Sequence, residues 1–206
     1  MKKITIALMC MIMATGAAMA QKQFTFGPKI GVDYTHYWGK DAHHGGQLNY
    51  QAGLFMEYRF TDKFSIAPEV VFAAQGGKYD LEDYNIGIKD IDVNITDNVN
   101  YINVPVMLKY YVTPALSIDF GPQLGINVYS KYTVEAKDKN DGYKETIDQK
   151  NHTKTIDFGI GLGLTYNVSK DVFVQGRYTM GLTDVYEKTW SHGKNGNAQI
   201  AIGYRF

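Results

Sequence analysis

The chain has 206 residues, and its 21 basic and 21 acidic side chains give a formal net charge of zero. No basic surplus is present to bind nucleic acid, whose recognition depends largely on phosphate contacts. Glycine and tyrosine are abundant, with 21 and 16 residues. This combination favours β-sheet with close backbone approaches.

The first 20 residues have the layout of a secretory signal peptide. A short basic start precedes a nearly unbroken apolar run over 4–13, and small residues follow it. The apolar run is shorter than the ~20 residues that a membrane-spanning helix needs. We therefore expect cleavage before Gln21, with Ala18 and Ala20 as the small residues of the cleavage site.

The expected exported chain, 21–206, contains no cysteine, because the only one, Cys10, lies in the signal. Disulfides and cysteine metal sites therefore cannot stabilise it. It contains no apolar run long enough for a helical span, so a membrane could be crossed only by a closed barrel. Loss of Lys2 and Lys3 leaves 19 basic against 21 acidic residues, a net charge of −2.

Short polar turns alternate with long polar loops along the exported chain, and this alternation predicts eight strands joined as hairpins. The turns are Thr61-Asp62-Lys63, Thr113-Pro114-Ala115 and Ser169-Lys170-Asp171. The expected loops cover 39–49, 80–98, 133–153 and 186–195. The predicted strands are 24–38, 50–60, 64–79, 99–112, 116–132, 154–168, 172–185 and 196–206.

Every predicted strand has an apolar face at even-numbered positions and a small or polar face at odd-numbered positions. This period of two is that of a β-strand, and we expect no strand to reverse it. The apolar face extends over about ten residues, the length that crosses a bilayer at a ~45° tilt. In the sixth strand the apolar residues are Ile156, Phe158, Ile160, Leu162, Leu164 and Tyr166.

Alternation alone leaves open which face points outward. In a soluble lipocalin-type barrel the apolar row would face inward. Here the odd face is rich in glycine, as at Gly159, Gly161 and Gly163. Small residues suit the interior of a narrow barrel, so we expect the even face to contact lipid.

The last predicted strand ends in the aromatic-rich sequence Ile202-Gly203-Tyr204-Arg205-Phe206. Together with the signal, the eight strands and the three turns, it resembles the small bacterial outer-membrane β-barrels. These include the OmpA/OmpX-like barrels and the group described as porin family or outer membrane protein beta-barrel domain. The resemblance implies an all-β fold over 21–206, an eight-stranded antiparallel up-and-down transmembrane β-barrel.

The same resemblance implies a Gram-negative outer membrane, with short periplasmic turns, four long external loops and both termini in the periplasm. It also implies that Tyr204 and Phe206 form the assembly signal for the barrel-assembly machinery. Outer-membrane lipid would surround the barrel, which we expect to be a monomer.

The odd face carries ten charged residues, five of each sign. An eight-stranded interior is only wide enough for side chains to fill, and buried charges avoid a large desolvation cost when they are paired. We therefore expect a salt-bridged plug; a narrow pore is the alternative, although ion selectivity usually uses a ring of one sign. The residues are Lys29, Arg59, Lys109, Arg177 and Arg205, with Asp33, Glu57, Glu69, Asp119 and Asp157.

The polar loops contain two sets of side chains that could form a chemical site. His43, His44 and His192 could meet as metal ligands, but they lack a supporting carboxylate–histidine spacing. Ser191, His192 and Asp41 could form a hydrolytic set, but nothing in the sequence orients them. We therefore expect no catalytic residue, metal or cofactor.

These features predict a non-enzymatic barrel with a structural or interactive role, in the envelope or in adhesion. Its partner would be an unidentified surface ligand or envelope protein. The first alternative is a narrow porin-like channel for small solutes. The second is an outer-membrane enzyme acting on lipid or peptide at the loop rim.

Overall fold

The computed structural model describes residues 23–39, 45–80, 92–137, 142–148, 153–186 and 193–206. Within these ranges the chain forms nine β-strands, and no helix there has the length and apolar character needed to cross a bilayer. The strands are β1 (Phe24–Trp38), β2 (Gln47–Arg59), β3 (Phe64–Asp80), β4 (Asp92–Tyr111), β5 (Leu116–Lys137), β6 (Gly142–Asp148), β7 (Ile156–Asn167), β8 (Val172–Asp184) and β9 (Lys194–Tyr204).

Eight of these strands close into an antiparallel barrel. The ring runs β1-β2-β3-β4-β5-β7-β8-β9, and β9 pairs with β1 to complete it. Closure pairs the edge strands with each other, as a sheet in lipid requires. The predicted eight-stranded up-and-down barrel is confirmed.

The three short connections at one end of the barrel, the turn end, share one local motif. The second residue after the end of each strand is a threonine or serine. Its hydroxyl oxygen accepts hydrogen bonds from the backbone N–H groups of the residues two and three positions later in the chain. Such hydroxyl turns compete well with strand continuation and reverse the chain. The hydroxyls are those of Thr61, Thr113 and Ser169, with N···O distances of 3.0–3.3 Å.

At the opposite end, the loop end, the strands are longer than the sequence predicts. β4 already begins at Asp92 and β5 continues to Lys137, inside the expected loops 80–98 and 133–153. β6 (Gly142–Asp148) then folds back on β5. The expected loop boundaries are wrong there because β-branched residues favour strands even where no apolar face marks them.

The side-chain parity of β5 reverses near the loop end. The register between β4 and β5 shifts at Asn100/Tyr101, and Val128 is the additional residue of a β-bulge. Beyond it Ser130 is buried, whereas Tyr129 is 41% exposed. The expectation that no strand reverses is therefore wrong here, since one extra residue moves all later side chains to the other face.

Elsewhere in the barrel the even-numbered apolar side chains point outward and form a continuous apolar belt. Leu162, at the middle of β7, is 58% exposed, and its odd-numbered neighbours are buried. On β4 the outward positions turn polar beyond Ile102, at Asn100 and Asn98. A soluble protein seldom exposes such a surface, whereas a membrane-spanning barrel presents it to lipid.

The closing seam between β1 and β9 depends on a glycine. A Cβ atom at Gly27 would lie 1.7 Å from the carbonyl oxygen of Tyr204. The seam is completed by a 2.9 Å hydrogen bond from the N–H of Phe206 to the carbonyl of Phe26. Only a residue without a side chain allows this approach of the two strands.

Candidate functional site

The middle of the lumen is crossed by three buried charged residues, Lys29, Glu69 and Arg177, which we call the central ion cluster. Lys29 Nζ donates to Glu69 Oε2 at 2.7 Å. Arg177 donates to both carboxylate oxygens of Glu69, at 2.6 and 3.1 Å. Because β3 and β8 lie on opposite sides of the ring, this bidentate pair connects opposite walls of the barrel.

A second polar cluster lies next to it, towards the turn end. Lys109 Nζ lies 3.3 Å from Asp119 Oδ2. Asp119 also accepts hydrogen bonds from Ser117 at 2.7 Å and from Gln175 at 3.2 Å. The amide oxygen of Gln175 accepts from Lys29 at 2.9 Å, so the two clusters form one network across the lumen.

Apolar side chains fill the space beside these clusters. The rings of Phe55 and Phe173 meet edge to face, with centroids 5.0 Å apart. Met107 is buried on β4. Aromatic pairs in this arrangement are favourable, and together with the ion pairs they leave little room for solvent.

Glu57 lies at the turn end between two arginines. Its Oε1 accepts hydrogen bonds from Ser65 at 2.7 Å and from the hydroxyl of Tyr111. The nearest nitrogens of Arg59 and Arg205 are 4.0 and 3.7 Å from the carboxylate oxygens. These are charge contacts beyond hydrogen-bond distance.

Two of the predicted lumen carboxylates have neutral partners rather than basic ones. Asp33 accepts a 2.7 Å hydrogen bond from the amide of Gln51. Asp157 accepts from Asn195 at 3.0 Å and from the hydroxyl of Thr183. Within the described residues neither forms an ion pair, so the expected pairing of five charges with five does not extend to the loop half of the lumen.

A further buried carboxylate, Asp97, was not expected from the sequence because it falls in the predicted loop 80–98. It accepts a 2.8 Å hydrogen bond from the hydroxyl of Tyr37 and another from that of Tyr186. Asp97 lies beyond the apolar belt, and burial raises its pKa to about 6. Asp97 is an odd-numbered position two residues before the buried Val99, so extending the odd-numbered inward face of this strand by one step would have identified it.

A small cavity lies on the loop side of the central ion cluster, next to Arg177. This cavity measures about 10 Å³, room for about one water molecule. Most of its lining is polar, namely Gln51, Asn103, Gln123, Arg177, Asn197 and Gln199, and the rest is Val71, Ala73 and Pro105.

The aromatic residues of the expected assembly signal lie on the outer face of the turn end. The ring centroid of Phe206 is 5.2 Å from that of Tyr204 and 5.6 Å from that of Phe26. Both Tyr204 and Phe206 are exposed to the surroundings of the barrel.

Several expected residues fall outside the part of the chain that the structure describes. Within that part, no group of three or more side chains could hold a metal ion. The residues outside it are Ala18, Ala20 and Gln21 of the cleavage site, and Asp41, His43, His44, Ser191 and His192 of the loops.

Comparison with solved structures gives low sequence identity. The chain is similar to Ail, the attachment invasion locus protein of Yersinia pestis, with 14% identity, a TM-score of 0.45, and coverage of 89% of this chain and 99% of that chain. For Neisserial surface protein A the identity is 12% and the TM-score is 0.45, with coverage of 89% of this chain and 97% of that chain. For the N-terminal β-barrel domain of Pseudomonas aeruginosa OprF the identity is 12% and the TM-score is 0.33, with coverage of 87% of this chain and 97% of that chain.

Comparison with curated proteins gives no match. A family model described as outer membrane protein beta-barrel domain matches residues 19–187, which is most of the chain. The resemblance inferred from the strand pattern is thereby confirmed, and it implies the bacterial outer membrane as the location. The chain belongs to the outer membrane protein beta-barrel domain family.

Proposed function

We propose that this protein is a sealed outer-membrane barrel with a structural or interactive role, exercised at its loop end, and that it neither conducts solutes nor catalyses a reaction. The filled lumen carries this proposal. The central ion cluster joins opposite walls, and the small cavity beside it holds about one water molecule. A solute-conducting pore would need a continuous open passage at this level.

The loop end supports an interactive role because a three-stranded sheet projects there. β4 pairs with β5 from Asp92 to Asn100, and β6 pairs with β5 over Gly142–Asp148. Within the described residues β6 pairs on one side only. A strand edge of this kind can pair with an extended segment of another protein.

The orientation is also part of the proposal. The three short turns lie at the same end as Phe24 and Phe206, and in bacterial barrels short turns face the periplasm. The loop end would then lie outside the cell. Tyr204 and Phe206 would be available to the barrel-assembly machinery, and the barrel would sit in outer-membrane lipid as a monomer.

Cysteine labelling tests this orientation cleanly, because Cys10 is the only natural cysteine. Thr146→Cys on β6 and Lys170→Cys in the third turn both replace exposed residues. A membrane-impermeant maleimide should label position 146 on intact cells and reach position 170 only after the outer membrane is permeabilised. The reverse pattern would contradict the proposed orientation.

Shortening the projecting sheet tests the interactive role. Replacing 132–147 by a tight turn removes the end of β5 and all of β6 except Asp148, while the barrel pairing of β5 with β7 is retained. Cells carrying this variant should lose adhesion to one another or to immobilised matrix proteins, with the barrel still folded in the membrane. Full adhesion after shortening would contradict the interactive role, and Asp62→Asn in the first turn serves as the control.

A further inference from the structure

The turn end of the barrel opens into a charged cavity, which we call the mouth. Its volume is about 420 Å³, far larger than the space beside the central ion cluster. Three of its side chains are basic and one is acidic. The charged and amide residues that line it are Gln23, Glu57, Arg59, Asn167, Lys170 and Arg205.

Arg205 lines this cavity, and one of its guanidinium donors has no acceptor. The residue is only 9% exposed, and its Nη2 atom is buried without a hydrogen-bond partner. Its guanidinium carbon lies 4.6 Å from the centroid of the Phe173 ring. Stacking on the ring fixes the plane of the guanidinium group. The unpaired N–H favours binding of a hydrogen-bond acceptor, because a buried donor is costly to leave unpaired.

Arg59 is held in a similar way on the other side of Glu57. Its guanidinium carbon lies 3.9 Å from the centroid of the Tyr111 ring, and its side chain is 36% exposed. Stacking of this kind leaves the N–H edge of the group for a planar oxyanion.

Glu57 does not supply the missing acceptor. Ser65 and Tyr111 already donate to its Oε1 atom, and its nearest contact with Arg205 is 3.7 Å long. Glu57 therefore balances one positive charge and leaves Nη2 of Arg205 without an acceptor. With Lys170 at the rim, the mouth retains a positive excess.

We propose that the mouth is a binding site for an oxyanion, a carboxylate or phosphate group on a water-soluble ligand, held between Arg59 and Arg205. The ligand would enter from the turn end and stop there, since the central ion cluster closes the lumen behind it. A water-soluble ligand is favoured over a lipid headgroup because Glu57 and Arg205 of the mouth point into the lumen, away from the apolar belt. This site is separate from the interactive role proposed for the loop end.

The test uses the folded full-length barrel in a detergent without anionic groups. Calorimetric titration measures binding of inorganic phosphate, of an acetylated tri-alanine peptide with a free carboxylate, and of the same peptide as an amide. Saturable binding of phosphate alone identifies a phosphate site, and binding of the acid but not the amide identifies a carboxylate site.

Variants distinguish the mouth from general charge attraction. Arg59→Gln and Arg205→Gln should each weaken anion binding by about tenfold, because each removes a charged hydrogen-bond donor. Lys63→Gln, an exposed turn residue outside the mouth, should leave the affinity unchanged. If Arg205→Gln does not fold, Arg59→Gln decides the question alone. Absence of saturable binding by both anions, or equal affinity in wild type and Arg59→Gln, overturns the proposal.

Discussion

Replacing Glu69 by Gln should destabilise the barrel strongly. The substitution preserves shape but leaves Lys29 and Arg177, both buried, without their shared carboxylate, which lies 2.7 and 2.6 Å from their nitrogens. Lys29 keeps the amide oxygen of Gln175 at 2.9 Å, and the new amide offers one neutral acceptor in place of two charged oxygens. Breaking a buried ion pair from one side typically costs about 3–5 kcal/mol, and we expect a loss of unfolding free energy in this range.

Urea titration of the refolded protein in lipid vesicles, followed by tryptophan fluorescence and by gel mobility, measures this loss. Asp62→Asn also removes one negative charge, but from an exposed turn, and it should cost less than about 0.5 kcal/mol. Joint replacement of Lys29, Glu69 and Arg177 by Met should be less destabilising than Glu69→Gln, because no charge is left buried. A cost for Glu69→Gln no larger than that for Asp62→Asn would refute the closed ion cluster.

Three further predictions test the outer face, the seam and the loop end. In vesicles, Leu162→Arg should lower the unfolding free energy by about 2–4 kcal/mol, and Val168→Arg, near the turn end, by about 0–1 kcal/mol. The two residues are equally exposed, at 58% and 59%, so equal costs would argue against the lipid-facing belt. Gly27→Ala should impair folding on gels because its Cβ would meet a carbonyl 1.7 Å away, whereas Gly176→Ala, with nothing within 4 Å, should fold normally. Because burial raises the pKa of Asp97 from 3.8 to about 6, its ionisation costs stability, which falls as the pH rises from about 4 through 6. The unfolding free energy of Asp97→Asn minus that of wild type, measured by urea titration, should therefore be larger at pH ~7.5 than at pH ~4, by up to about 3 kcal/mol. A difference that does not change with pH would contradict this.

The barrel strands were predictable because lipid requires an apolar row on one face of each strand, and the period of two then fixes its register. Beyond the belt this requirement ends. The start of β4 and the end of β5 project from the belt, so no apolar row marked them. The bulge at Val128 was equally invisible, because an extra residue leaves no compositional signal.

Parity identified the lumen charges but not their partners. Glu69 meets Arg177 across the ring, 108 positions along the chain, and this meeting depends on the stagger of eight strands. The same is true of Arg59 and Arg205, whose stacking on Tyr111 and Phe173 depends on which odd positions share a level. Such cross-barrel contacts have no local sequence spacing.

Single-channel recording of the refolded wild-type protein in planar bilayers tests the central claim, a lumen closed by the central ion cluster. The filled cross-section at Lys29, Glu69 and Arg177 predicts no channel current. Insertion of folded protein is checked separately by its heat-modifiable mobility on gels. Current steps of uniform and stable size in the wild type would contradict a sealed lumen.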